Sequence, residues 1–398
     1  MYQLFLKFVK NFTKYGLALC LLFASCSHPV KKVEEDSGIR EIDVMTSLSN
    51  IQKVNLSEVA SNIEYYVLET DKKCLLTPSM SIFISKEYIV AIGGGQSTAA
   101  CYVFERKTGK FLRQISRLGQ GPGEYIGLLP SFWDAKNEQV CVRGVNNQYI
   151  FYNLDGTISH YTSLIPGLFV EYKDLYVHYC PNMFGDQTMR IGFRDKTGVL
   201  IDSIPEYRSW KRTKTSWGTH EDRWLYVFND GLYCKDLYCD TLYCIKDFAL
   251  HPRYVFNTGG LAVPYKIQEG GQYERKMTLN GPSITDRYEQ YMCILKIFEY
   301  NKYLYFTVEY RLKTYYAIYD KTENMLKIMQ NIFENDLDGG LPFWPQRMVS
   351  DNEMMCVFPA DKLLELDVSK ITDEKLKNVL NSLEEDSNPV VAIVTLKD

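Results

Sequence analysis

Tyr102-Val-Phe-Glu-Arg-Lys-Thr-Gly109-Lys-Phe111 is matched by Tyr149-Ile-Phe-Tyr-Asn-Leu-Asp-Gly156-Thr-Ile158, and again by Ile191-Gly-Phe-Arg-Asp-Lys-Thr-Gly198-Val-Leu200. Each copy reads as an apolar strand, a tight turn whose glycine tolerates positive φ, and a returning strand. A fourth copy, Ala317-Ile-Tyr-Asp-Lys-Thr-Glu323-Asn-Met325, keeps the apolar positions and replaces the turn glycine. The central aromatics Phe104, Phe151 and Phe193 are 47 and 42 residues apart. Self-similarity at such a period, with several strands in each unit, marks the blades of a β-propeller.

Outward from these copies, further strand pairs complete the units. Ser81-Ile-Phe-Ile-Ser85 with Tyr88-Ile-Val-Ala-Ile92 precedes the first copy, and Phe132-Trp-Asp-Ala135 with Gln139-Val-Cys-Val-Arg143 precedes the second. Leu175-Tyr-Val-His178 leads into the third. Leu225-Tyr-Val-Phe228, Tyr303-Leu-Tyr-Phe-Thr307 and Glu353-Met-Met-Cys-Val-Phe358 open three more. The sequence therefore predicts an all-β fold, a six-bladed β-propeller of four-stranded antiparallel blades over residues 51–398. Two stretches break the rhythm and read as partly helical insertions, Tyr265 to Met292 and Asp373 to Leu383. Because an unpaired outer strand is an aggregation edge, Ile63-Glu-Tyr-Tyr-Val-Leu-Glu-Thr70 is expected to pair with Pro389-Val-Val-Ala-Ile-Val-Thr-Leu396 and close the last blade.

The N-terminus reads as an address. Lys7, Lys10 and Lys14 precede a short apolar run ending Leu22-Phe23-Ala24-Ser25-Cys26. That run is shorter than the ~20 residues a membrane-spanning helix needs, so residues 1–25 read as a signal peptide. Small residues before Cys26 resemble a bacterial lipobox, which implies lipid attachment at Cys26 and a membrane anchored through acyl chains. Residues 26–50 read as the lipidated N-terminus and a charged tether.

Of the 398 residues, 46% are hydrophobic and 24% charged, an ordinary globular balance. Removing the first 25 leaves 42 basic against 49 acidic residues. This argues against nucleic acid or an anionic membrane surface as a partner, since both need clustered positive charge. The 30 tyrosines suit pleated, half-buried strands. Beyond Cys20 and Cys26, nine cysteines are spread along the body, which argues against a disulfide framework.

Ile63 to Thr70, Gly119-Gln-Gly-Pro-Gly-Glu-Tyr125, Asp240-Thr-Leu-Tyr243 and Asn388-Pro-Val-Val391 together resemble the six-bladed propeller lipoproteins abundant in Bacteroidetes. The resemblance covers residue 50 to the end, with GQGPGEY as its most distinctive element. It implies an NHL-like propeller shape and a cell-envelope location at the outer membrane. It implies no chemistry.

The main candidate ligand contact is that element: Arg117, Gln120, Gly121, Gly123, Glu124 and Tyr125. Alternate glycines let the backbone approach another group and present amides to an anion. The same residues also suit a sharp crossover between blades, and both readings stay open. Pro122 and the lack of a following helix exclude a dinucleotide fingerprint. Cys234, Cys239 and Cys244 recur every five residues, a spacing that alternates faces on a strand and disfavours a shared metal ion. Ser97 sits between strands and not on a nucleophile elbow. His28, His160, His178, His220 and His251 show no close pairing, and Trp210 with Trp217 in a basic loop could stack a sugar or dock a partner. No catalytic residue, metal ligand or cofactor is assigned. The sequence favours a monomeric binding or scaffold propeller that takes a glycan, a peptide or an envelope protein. The alternatives are an envelope hydrolase or lyase with a site assembled from blade loops, and a subunit of an outer-membrane assembly.

Overall fold

The computed structural model describes residues 38–95, 98–134, 136–163, 168–182, 185–210, 223–265, 276–278, 281–283, 289–371 and 373–397. Residues 1–37, with the expected signal peptide and Cys26, lie outside them. From Ile39 onward the chain builds six small antiparallel sheets of four strands arranged in a ring, a six-bladed β-propeller. Strand makes up 51% and helix 8%, which settles the class as all-β.

The innermost strands are Met80–Ile84, Gly127–Asp134, Leu168–Tyr172, Arg223–Phe228, Cys293–Glu299 and Arg347–Ser350, for blades 1 to 6. From blade 2 to blade 6 each touches the next around the axis. The repeated element forms the two outer strands of its blade, as its turn requires. Gly109, Gly156 and Gly198 have φ of 67°, 92° and 91°, and Asn324, which replaces the glycine in the fourth copy, has φ 53°. A Cβ on Gly109 would lie 1.8 Å from the Val67 carbonyl oxygen, so this turn seats directly on the outer strand of the preceding blade.

Closure follows the expected pairing. Ala60–Val67 runs antiparallel to Val390–Leu396, with Ile63 opposite Val394 and Val67 opposite Val390, completing blade 6 behind Arg347–Ser350 and Glu353–Phe358. The central residues Val390 to Val394 are all buried. Asn388, also buried, clasps the junction to blade 1: its Nδ2 donates to the carbonyls of Glu69 (2.7 Å) and Cys74 (3.0 Å), and its Oδ1 accepts from Leu76 N (2.8 Å). Side-chain amides can satisfy backbone groups where no strand partner exists.

Residues 39–52 add an element outside the six units. Arg40–Asp43 lies parallel to the outermost strand of blade 4, Ala249–Asn257, and Ile51–Gln52 lies parallel to that of blade 5, Met325–Met329. Ile42 and Val44 are buried there, so the domain boundary drawn at residue 51 falls inside a strap packed on the ring.

In the Tyr265 to Met292 insertion, the described pieces Lys276–Thr278 and Gly281–Ser283 pair as a short antiparallel hairpin, correcting the helical expectation for those residues. Gly281 and Pro282 are the poorest helix formers, which accounts for it. The second insertion does hold a helix, Glu374–Asn381, whose N-terminus is capped by the Asp373 carboxylate accepting from Leu376 N at 2.8 Å.

Candidate functional site

The loop from Arg117 to Tyr125 connects the outer strand of blade 1, Phe111–Gln114, to the innermost strand of blade 2. Its glycines fold the chain around Glu124. The Glu124 carboxylate accepts from Gly121 N at 2.9 Å and from Arg117 Nε at 2.7 Å. Those bonds, the Gly121 amide first and Arg117 next, hold its carboxyl below the usual carboxylate range. A Cβ on Gly119 would fall 1.9 Å from Glu124 Oε2, so a side chain there would push the carboxylate out of this position. Gly123 O accepts from the hydroxyls of Ser116 and Tyr152. Tyr125 is fully buried and donates to Ala99 O at 3.2 Å, while Gln120 is exposed. The nest of amides thus already has an anion in reach, the loop's own Glu124.

Two interblade clusters neutralise buried carboxylates elsewhere. Asp236, at the end of Gly231–Asp236 in blade 4, receives Arg190 Nη2 (2.9 Å), Arg208 Nη2 (3.0 Å) and Tyr179 OH (2.9 Å), all on Oδ2. Burial alone would raise its pKa; Arg208 and Arg190 outweigh that and hold it low. Arg208 also forks onto Glu206 at 2.9 and 2.8 Å. Between blades 4 and 5, fully buried Glu299 accepts from Arg253 (2.8 Å), Lys321 (3.1 Å) and Tyr226 OH (2.9 Å). Glu171, on the innermost strand of blade 3, pairs with Lys196 at 2.7 Å. Asp236 and Glu299 are committed to their partners, whereas burial and the neighbouring Asp134 carboxylate raise the pKa of Glu171.

The axis differs. On the innermost strand of blade 5, Leu295 pairs with Thr307 and Phe298 with Tyr305, so Lys296 and Ile297 share one opposing residue. This β-bulge puts Lys296 at φ 51°, sparsely populated for a lysine. Ile294 and Ile297 pack toward blade 4 and Phe298 toward blade 6, leaving Lys296 exposed. Both faces of a blade are covered by its neighbours, so exposure here is exposure to the central channel. On the adjacent innermost strand, the half-buried Arg347 guanidinium lies over the Phe83 ring of blade 1, 4.0 Å from its centroid. Burial pushes the Arg347 pKa down to about 10. Among the described residues no carboxylate pairs with Arg347 or Lys296. Phe83 in turn meets Trp133 of blade 2, ring centroids 6.1 Å apart.

Sequence reasoning missed both cations. The signal was a lone lysine interrupting the apolar run Cys293-Ile-Leu-Lys-Ile-Phe298, and nothing singled out Arg347. Of the other candidates, Cys234 stands opposite Tyr243 and Cys244 opposite Tyr233, which puts the two thiols on opposite faces. None of the nine described cysteines forms a disulfide, and no group of three or more His, Cys, Asp or Glu among the described residues is placed to hold a metal ion. His178 is buried with Nε2 unpartnered, and burial lowers its pKa to about 4. His160 accepts or donates to Tyr176 OH at 3.0 Å. Trp210 is turned inward beside Gly185, and Tyr207, three residues earlier, is 87% exposed. His28, Ser97, Trp217 and His220 lie outside the described residues. A peripheral cleft of about 370 Å³ sits over the closing strand, lined by Tyr65, Lys107, Asp373 and Lys375 among others.

A family model described as a domain of unknown function, DUF4934, matches residues 39–395. Among solved structures, a protein of Bacteroides fragilis described as exported is 17% identical over 91% of this chain and 100% of its own, with TM-score 0.66. A DUF4221-family protein of Bacteroides vulgatus is 11% identical over 85% of this chain and 97% of its own, with TM-score 0.50. At such identities the likeness is one of fold. No curated protein matches the chain in sequence.

Proposed function

The chain belongs to the DUF4934 family, and on that premise we propose that it is an exported propeller, lipid-anchored through Cys26 at the outer membrane, that binds a ligand at its axis without transforming it. The observation that carries this reading is the contrast between committed acids and uncommitted cations. Asp236 and Glu299 are each held by two cations, whereas Arg347, half-buried on an innermost strand over Phe83, and the exposed Lys296 have no acid beside them among the described residues. A general acid or base must be able to give or take a proton from a bound substrate, and carboxylates held between two buried cations, as Asp236 and Glu299 are, are poorly suited to that.

Two measurements test it. Cys26→Ala is expected to shift the protein from the membrane fraction to the soluble fraction, with mass spectrometry of the wild-type N-terminus showing acyl chains. Incubation with a panel of glycans and peptides should raise the melting temperature for at least one compound and return every compound unchanged. Turnover of a bound compound would replace this reading with the hydrolase or lyase.

A further inference from the structure

We propose that Arg347 and Lys296 form an oxyanion site inside the central channel, taking a small ligand through a carboxylate, sulfate or phosphate group. This rests on the binding reading above and adds the ligand's chemistry.

Three observations converge on it. Enclosed charge normally finds an opposite charge, because desolvating an ion is expensive. In this molecule Asp236 and Glu299 recruit two cations each. Arg347 breaks that pattern. Its contact among the described residues is the face of Phe83, which attracts a guanidinium but accepts no strong hydrogen bond, so among those residues its forked N–H donors remain available for the two oxygens of an oxyanion. Second, Lys296 is delivered to the channel by a bulge in the middle of an innermost strand. A regular strand would have sent that side chain into one of the two blade interfaces. A lysine at positive φ is disfavoured relative to glycine or asparagine, and the fold holds it there. Third, the innermost strands carrying the two cations touch one another, and exposed Ser350 ends the second of them. Lys supplies a mobile point charge and Arg a planar fork, a combination suited to a small anion approached along one axis.

The test is thermal melting and calorimetric titration of the lipid-free chain from residue 27 at constant ionic strength in chloride. The probes are inorganic phosphate, inorganic sulfate, galacturonate and neutral galactose. Wild type is expected to be stabilised by at least one oxyanion and not by galactose. The pattern across probes separates a free inorganic anion from an acidic sugar. Arg347→Met and Lys296→Met should each weaken that binding at least tenfold. Arg347→Met should also melt no earlier than wild type in chloride alone, because it removes an unpaired enclosed charge. If no oxyanion stabilises wild type, or if both variants bind as wild type does, the proposal is overturned. It is likewise overturned if Arg347→Met melts much earlier in chloride, since Arg347 would then be structural. Stabilisation by galactose or a neutral peptide, with no response to oxyanions, would overturn the oxyanion site and leave the binding reading intact.

Discussion

Val67 stands opposite Val390 at one end of a seven-pair antiparallel ladder that joins the beginning of the ring to its end. The two strands come from opposite ends of the chain, so blade 6 exists only when the whole chain has folded around. Val394→Asp puts a carboxylate opposite Ile63, at a position with no accessible surface. It should cost about 3–5 kcal/mol, as unpaired buried charge does. Deleting residues 390–397 should abolish cooperative unfolding. Denaturant melts check both, and an unchanged midpoint in either variant would show that the ring closes elsewhere.

Asp236 carries a second prediction. Its Oδ2 is the shared acceptor of Arg190, Arg208 and Tyr179, and its Oδ1 has no partner among the described residues. Asp236→Asn keeps the shape and removes the charge, leaving Arg190 and Arg208 side by side with Glu206 as the remaining acid on Arg208. The expected loss is about 3–5 kcal/mol at pH 7, the usual result of breaking one partner out of a buried ion pair. In wild type the folded-state pKa lies below 3.8, so this contribution is complete above that value and lost only as pH falls through the folded pKa. A urea titration of the two proteins at pH 7 decides it.

How much of this was legible beforehand depends on which residues carried the pattern. The turn glycines and the paired apolar runs repeat, so the blades, their number and the closing pair could be read from sequence. The strap at 40–52 does not repeat. Its strands are short, add in parallel at outer edges, and lie in a charged stretch whose buried residues, Ile42 and Val44, are too few to show a period. The Arg117 to Tyr125 loop was legible as a crossover, but that Glu124 folds back onto its own glycines depends on three-dimensional closure. Lys296 and Arg347 were hidden for a different reason. A bulge shifts register by one residue, and whether a strand cation faces a channel or a blade interface is decided by that shift and by neighbours far away in sequence.

His178 supplies a pH prediction. It lies opposite Gly192, where a Cβ would fall 2.3 Å from its ring, so the pair is tightly closed. Burial, with Arg194 nearby, lowers its pKa from 6.5 to about 4. As pH falls from 6.5 toward 4 the unfolded chain takes up this proton first, so stability falls over that window, by at most about 3 kcal/mol from this group. Urea midpoints at pH 7.5 and 4.5 should converge more for His178→Gln than for wild type. Equal losses in the two proteins would mean that other groups set the acid sensitivity.

Glu124 separates the two readings of the glycine-rich loop. Its carboxylate holds the Gly121 amide and the Arg117 guanidinium at once, so removing it frees an amide nest while loosening the turn that forms it. If the loop serves as a crossover alone, Glu124→Ala should speed hydrogen exchange at Gly121 and lower the melting temperature, with ligand binding at the axis unchanged. If the loop also contacts ligand, the same variant should weaken binding while the fold stays intact. Glu124→Gln refines the comparison, because it keeps an acceptor for Gly121 N and loses the charge that attracts Arg117. The folded pKa of Glu124 is lowered, so its hold on the loop is present above pH 4.5 and fades as pH falls through the folded value. Exchange at Gly121 in wild type should therefore accelerate in acid, relative to the intrinsic rate, toward that of Glu124→Ala, and a Gly121 amide indifferent to both pH and substitution would rule out the carboxylate as the element that closes this loop.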